Sequence, residues 1–262
     1  MLGVTYIGHA TLLITIGGKR LLTDPNFDDA LGKFLPRVSP PGIALEKLPK
    51  LDAILLTHAH ADHLSFDSLD RLPSDIPLYA PPPVARWLSK QGYRHAVPVA
   101  PGSEVEHEGL TIRAAPATHK GNRYGVDRWR SATNMYLVDT NNVSFFFAGD
   151  TALTPTTSGI VDTHLVGKGR SLDLALLPIG HAPWWKPGFR KGHLTGSDAL
   201  TLFERLRARY FIPYHWGTFN HVTSTAFDAI DRLRTQLQDH PLHPMVKILE
   251  PGTTFELPTL GK

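Results

Sequence analysis

With 262 residues and 42% hydrophobic side chains, the chain can bury a large core and does not have the make-up of a disordered protein. A net charge of +3 without a basic block excludes a surface that tracks a nucleic-acid backbone, so no nucleic-acid partner is expected. The absence of cysteine removes disulfides, thiolate nucleophiles and cysteine-held zinc, so any metal must be held by nitrogen and oxygen. No run of eighteen apolar residues marks a membrane span. Met1 to Ile7 lacks the basic and apolar regions of a signal peptide, and a cytoplasmic location is the expectation.

In chain order, strands are predicted at 4–7 and 11–16, with Gly17-Gly18 turning the chain into a third at 19–23. Asp24-Pro25-Asn26 ends that strand, and 27–50 reads as a surface loop. A buried strand over 51–56 is followed by a short helix capped by Ser65. Further strands are expected at 77–80, 96–99, 103–107 and 110–116, with a helix at 84–91 and a polar loop at 120–131. Residues 133–138 and 143–148 form a hairpin around Asn141-Asn142. A buried strand at 172–178, a helix at 198–208 behind the capping signal Thr195 to Asp198, and a strand at 210–214 follow. A helix from Ala226 and a final strand pair over about 246–257 complete the chain. With no repeat or linker, 1–262 reads as a single domain of two sheets flanked by helices.

The stretch Thr57-His58-Ala59-His60-Ala61-Asp62-His63 places three imidazoles and a carboxylate directly after a buried strand. These donors suit zinc and other divalent first-row metals. His58 and His60 can meet one ion, and Asp62 and His63 a second. The same context recurs: His119 follows the strand 110–116, Asp150 follows 143–148, and His215 follows 210–214. Sheets of this kind place their sites at carboxyl strand ends. Alone, His119 or His215 would read as a core or capping histidine and Asp150 as a turn residue; their joint arrangement points to a metal site.

The ordered set Asp24, His58/His60/Asp62/His63, His119, Asp150 and His215 resembles the metallo-β-lactamase superfamily. The resemblance implies an α/β fold, the αββα four-layer sandwich, with two metal ions between the sheets. It also implies ligand sets: His58, His60 and His119 for one ion, Asp62, His63 and His215 for the other, Asp150 bridging, and Asp24 orienting the ligands from behind. Gly8-His9-Ala10-Thr11-Leu12, Phe146 to Thr151, Pro178-Ile179-Gly180 and His215-Trp216-Gly217-Thr218-Phe219 are similar to the branch containing N-acylphosphatidylethanolamine-hydrolysing phospholipase D and its bacterial relatives. Within that branch His193 matches a substrate-contacting histidine. Ala61 departs from it, standing where the mammalian phospholipase has an aromatic residue that contacts substrate.

The expected cofactors are two divalent ions, Zn2+ first and Mn2+ or Fe2+ as alternatives. Coordination lowers the pKa of a shared water from near 16 to about 7, which makes a bridging hydroxide available as nucleophile. Asp62 and Asp150 would orient that water, and His193 would donate to a substrate oxygen or the leaving group. The expected reaction is therefore that of a metal-dependent phosphodiesterase on a small-molecule or lipid phosphodiester. A lactonase or other carboxylic-ester hydrolase on the same centre is the alternative, and a non-catalytic metal-binding regulator a third. Arg123, among the cations following His119, is expected to meet a phosphate. Trp184 and Trp185 are expected to clasp an apolar chain or make a peripheral membrane contact.

Overall fold

Apolar residues occupy both faces of the first strands, so the sheet they form needs cover on both sides. The computed structural model of the protein describes all residues except 33–34, 124–126, 181–186, 221–223 and 259–262. The chain opens with β1 (Leu2–Gly8), β2 (Thr11–Ile16), β3 (Lys19–Thr23), the short β4 (Ala30–Leu31) and β5 (Leu35–Pro36), and β6 (Ala53–Leu55). It continues through α1 (Phe66–Arg71), β7 (Leu78–Ala80), α2 (Pro82–Lys90), β8 (Ala96–Pro98), β9 (Glu104–His107) and β10 (Leu110–Pro116). Next come β11 (Asn134–Asp139), β12 (Ser144–Phe147), α3 (Gly159–His164), β13 (Leu174–Pro178) and α4 (Pro187–Arg190). It ends with α5 (Gly196–Leu206), β14 (Tyr210–Tyr214), α6 (Asp228–Leu237) and β15 (Thr254–Glu256).

The strands form one sheet in the order β15-β1-β2-β3-β6-β7-β8 and a second in the order β14-β13-β12-β11-β10-β9. A period of two sorts the first sheet's side chains into layers. Tyr6, Leu12, Ile14, Leu21, Ala53, Leu55 and Tyr79 join the core shared with the second sheet. Their neighbours Ile7, Leu13, Leu22, Ile54 and Leu78 face outward, under Leu69 of α1 and Val84, Ala85 and Leu88 of α2. On the far side Phe203 and Leu206 of α5 and Ile230 and Leu233 of α6 belong to the same core as the second sheet. Burying each such side chain contributes roughly 1.5–3 kcal/mol. A one-residue slip of β6 would exchange Ile54 and Leu55 between layers, which fixes its register. The result is the expected αββα sandwich.

Helix caps follow the sequence signals. Ser65 accepts a hydrogen bond from the Ser68 amide at 3.0 Å. Thr195 and Asp198 form a reciprocal capping box at the start of α5. No helix among the described residues is long and apolar enough to cross a membrane.

Three expectations are corrected. The strand pair over 246–257 is not a hairpin: Val246 bridges Phe211 of the second sheet, while β15 pairs with β1 of the first. The Pro251-Gly252 turn carries the chain between them, with Gly252 at φ +89 donating to the Tyr6 carbonyl at 2.8 Å. Within 150–172, α3 was not expected, because its six residues bury only Val161 and carry no helical stripe. The loop 27–50 contains β4, β5 and a 3-10 turn at Leu45–Lys47.

Candidate functional site

Strand direction gathers the polar side chains at one edge. β1 and β3 are each antiparallel to β2, and β6 is parallel to β3, so all three point the same way. In the other sheet β10 and β12 are antiparallel to β11, and β13 and β14 continue parallel to β12. The residues following those carboxyl ends are His9, Asp24, His58, His119, Asp150 and His215. His9, Asp24 and His215 have positive φ, at 55°, 34° and 70°. Such backbone costs of order 1–3 kcal/mol per residue and persists where the surroundings enforce it. Here the His215 amide donates to the His9 carbonyl at 2.9 Å, and the Asp24 amide to the Leu55 carbonyl at 2.9 Å.

The donor atoms fall into two groups. Ligand-type atoms of His58, His60, His119 and Asp150 all lie within 4.8 Å of one another, as do those of His9, Asp62, His63 and His215. Asp150 also faces the second group: its Oδ2 is 3.4 Å from His63 Nε2 and its Oδ1 3.4 Å from His215 Nε2. All seven residues singled out by the strand-end pattern are thus brought together.

Asp24, fully buried, orients two of the rings. Its carboxylate accepts from the Thr57 amide at 2.7 Å, from the Thr57 hydroxyl at 2.6 Å and from His63 Nδ1 at 2.7 Å. Because the Thr57 hydroxyl proton is committed to Asp24, its oxygen accepts from His58 Nδ1 at 2.9 Å. His119 Nδ1 likewise donates to the Gly192 carbonyl at 2.8 Å. Each bond places the ring proton on Nδ1 and turns Nε2 toward the centre, the arrangement that metal-binding histidines need. Gly180 is required at close quarters, since a Cβ there would lie 2.5 Å from His215 Nδ1.

The donor set fits divalent ions. His58 Nε2, His63 Nε2, His215 Nε2 and Asp150 Oδ1 are buried and have no hydrogen-bond partner among the described residues. Buried polar atoms are rarely left so, and each such loss costs roughly 1–3 kcal/mol. The separations of 3.4–3.7 Å between His63 or His215 Nε2 and the carboxylates are long for hydrogen bonds. Two ligands each about 2.0–2.1 Å from one tetrahedral zinc would stand roughly 3.3 Å apart, which matches them.

Charge divides the groups. Burial, reinforced by His63, His60 and His119, holds His58 well below the ordinary imidazole value. Burial also lowers His60, and brings His119 down to about 3. Burial pulls His63 and His215 down as well, but Asp150 leads the carboxylates that reverse it, so His63 stands well above the usual range and His215 at about 9. Asp62 and Asp150 are held well below the carboxylate range because the surrounding histidines outweigh burial.

His193 stands beside this centre. Its Nδ1 donates to the Phe189 carbonyl at 2.8 Å, its ring stacks on Phe189 at 4.1 Å, and its Nε2 lies 3.4 Å from Asp150 Oδ2. A cavity of about 340 Å³ adjoins the second group, reached by His9, Asp62 and His215, walled by Trp216 and Phe219 and fringed by Arg190 and Arg232.

Arg123 is placed otherwise than expected. It is buried, donates to the carbonyls of Ala59 and Leu64 at 3.3 and 2.5 Å, and lies 4.6 Å over the Phe66 ring. It braces the histidine loop from below. Trp184 and Trp185 lie outside the described residues. His107, expected to be solvated, is half-buried and hydrogen-bonded to Tyr79 at 3.0 Å. His9 was missed by the sequence reading, although it follows a strand end as the other site residues do; it lies 2.9 Å from Asp62 and packs on His215.

Comparison with known proteins agrees with this geometry. The family described as "Beta-lactamase superfamily domain" matches residues 19–216. N-acyl-phosphatidylethanolamine-hydrolyzing phospholipase D 1 of Caenorhabditis elegans is 32% identical over 236 residues, covering 82% of this chain and 64% of that enzyme's length. A metal-dependent hydrolase of Exiguobacterium is 26% identical over 257 residues, covering 98% of this chain and all of the other. Among solved structures, a metallo hydrolase from the archaeon Ignicoccus hospitalis shares the fold with a TM-score of 0.70 at 22% identity, over 97% of this chain and 98% of that one.

Proposed function

The chain belongs to the beta-lactamase superfamily as a metal-dependent hydrolase, and we propose that it cleaves phosphodiesters in a single hydrolase domain that holds two divalent ions. His58, His60 and His119 hold one ion, Asp62, His63 and His215 the other, and Asp150 touches both. An all nitrogen and oxygen donor set with this ligand spacing favours zinc, with Mn2+ or Fe2+ as substitutes. The observation that carries the reading is the pair of four-residue donor groups, with buried Nε2 atoms that only a cation between them and the carboxylates would satisfy.

When bound, such ions supply a water of lowered pKa and polarise the oxygen of the scissile group. The chain's own residues do the rest. Asp24 and Thr57 fix the tautomers of His63 and His58, and the Gly192 carbonyl fixes that of His119. Asp62 and Asp150 remain ionised and orient the nucleophile by accepting its hydrogen bonds. His193 keeps Nδ1 on the Phe189 carbonyl, so Nε2 is the atom that offers a proton to a phosphoryl oxygen or the departing alcohol. The likeness to an enzyme that hydrolyses N-acyl-phosphatidylethanolamine supports a phosphodiester with an apolar arm, for which Trp216 and Phe219 offer a wall.

The test is turnover by zinc-loaded protein of bis(p-nitrophenyl) phosphate, of N-acyl-phosphatidylethanolamine vesicles and of a lactone, side by side. Phosphodiester cleavage abolished by chelation supports the proposal. Ring opening of the lactone with both phosphodiesters untouched would replace it by an ester hydrolase, and silence on all three by a non-catalytic metal binder.

A further inference from the structure

His9 sits within reach of the second group, and its chemistry there depends on whether it binds an ion or a carboxylate. Its ring is buried, packs on His215 with centroids 3.9 Å apart, and stands edge-on to His63 at 5.6 Å. Its Nε2 lies 2.9 Å from Asp62 Oδ2. That is a hydrogen-bond length, whereas His63 and His215 stand 3.7 and 3.5 Å from the same oxygen. Two donors to a common ion do not approach to 2.9 Å when each is about 2.0–2.1 Å from it and tetrahedrally placed.

We infer that His9 is a positioning residue: its Nε2–H donates to Asp62, and it is not itself a metal ligand. The inference rests on the two-ion reading above and adds what that reading leaves open. With His9 as a ligand, the second ion would have five protein donors, His9, Asp62, His63, His215 and the shared Asp150. With His9 as a hydrogen-bond donor it has four, as the first does, and keeps a coordination position for substrate. That position faces the cavity lined by His9, Asp62, His215, Trp216 and Phe219. The positive φ of His9 and the bond from the His215 amide to its carbonyl lock the donor to the residue it steers beside. The substrate's esterified oxygen therefore approaches from the second group's side, past His9.

Two measurements test this. In wild-type protein with nitrogen-labelled histidine and NMR-active cadmium, metal–nitrogen coupling is expected at His58, His60, His63, His119 and His215 and not at His9. Coupling at His9 would overturn the inference. Among variants, His9→Leu should weaken uptake of the second ion roughly 10–100-fold, the effect typical of groups that orient ligands, and His9→Gln, which can still donate to Asp62, should recover most of it. The cobalt absorption bands of His9→Gln should match those of the wild type. Bands that differ, or equal losses in both variants, would make His9 a ligand and sink the inference alone. Wild-type protein that takes up one ion only would overturn the two-ion reading and the inference with it.

Discussion

The two halves of the centre use the same residue types to opposite electrostatic effect. His58, His60 and His119 meet edge to face, with ring centroids 4.6–4.8 Å apart, and share only Asp150 among carboxylates. Burial and mutual repulsion keep them neutral, which is the ligating form. His63 and His215 are as deep, but Asp62, Asp150 and Asp24 surround them and hold protons on them. The number of carboxylates, not the depth of burial, decides which histidine waits ready and which must first lose a proton. A proton stands in for the second ion in a way it does not for the first.

The largest effect should come from the residue that belongs to both halves. Asp150→Ala is expected to lower kcat/KM by about 1,000-fold or more, the scale on which loss of one charge-stabilising group acts, and to reduce the metal content of both positions. Activity together with elemental analysis checks this; loss of one ion only would mean the halves are not joined through Asp150.

Next are substitutions that separate the halves. Asp24→Asn removes the acceptor of His63 directly and of His58 through Thr57, so affinity should fall roughly 10–100-fold at both positions. Thr57→Val leaves the Asp24–His63 bond in place, and its loss, about tenfold, should be confined to the first position. Metal titration of the two variants reads the difference, and equal behaviour would erase the proposed asymmetry.

Acidity sharpens the comparison in the metal-free protein. His9, His58, His60 and His119 have folded values below their unfolded ones, about 3 for His9 and His119. The unfolded chain then binds more protons as pH drops below about 6.5, so stability is lost between there and about 3. His63 and His215 are raised, so their contribution is complete below about 6.5 and is lost as pH climbs, through about 9 for His215. Thermal melts in chelator should therefore peak near pH 6.5, with decline on both sides. A melting temperature that rises steadily from pH 6 to 9 would contradict the proton-loaded second half.

The smallest effect concerns the brace under the histidine loop. Arg123→Ala deletes the bonds to the carbonyls of Ala59 and Leu64 and should cost about 2 kcal/mol of stability, with Arg123→Lys recovering part. Denaturant melts check it. A variant as stable as the wild type but with a raised KM would return Arg123 to the substrate-contact role that the sequence suggested.

Why Arg123 misled while Asp24, His58 and His119 did not is a matter of reach. Backbone direction and strand ends place a short side chain, so a histidine or aspartate just past an apolar run is located by its sequence position. A long arginine four residues past His119 can turn either way, and only the packing of Phe66 and the two loop carbonyls decides it. His9 carried the same strand-end signal and was legible, yet one histidine behind the first strand lies far in sequence from the cluster it joins. The short α3 and the crossing of 246–257 between sheets had no periodic pattern to show, since each is defined by contacts with distant strands.

The central claim, two ions held by two unlike halves joined at Asp150, is tested most directly by anomalous diffraction from crystals grown with zinc. The account expects two peaks per chain, one among His58, His60 and His119, the other among Asp62, His63 and His215, both touching Asp150, with His9 bonded only to Asp62. A single peak, or a second one outside reach of Asp150, would contradict it.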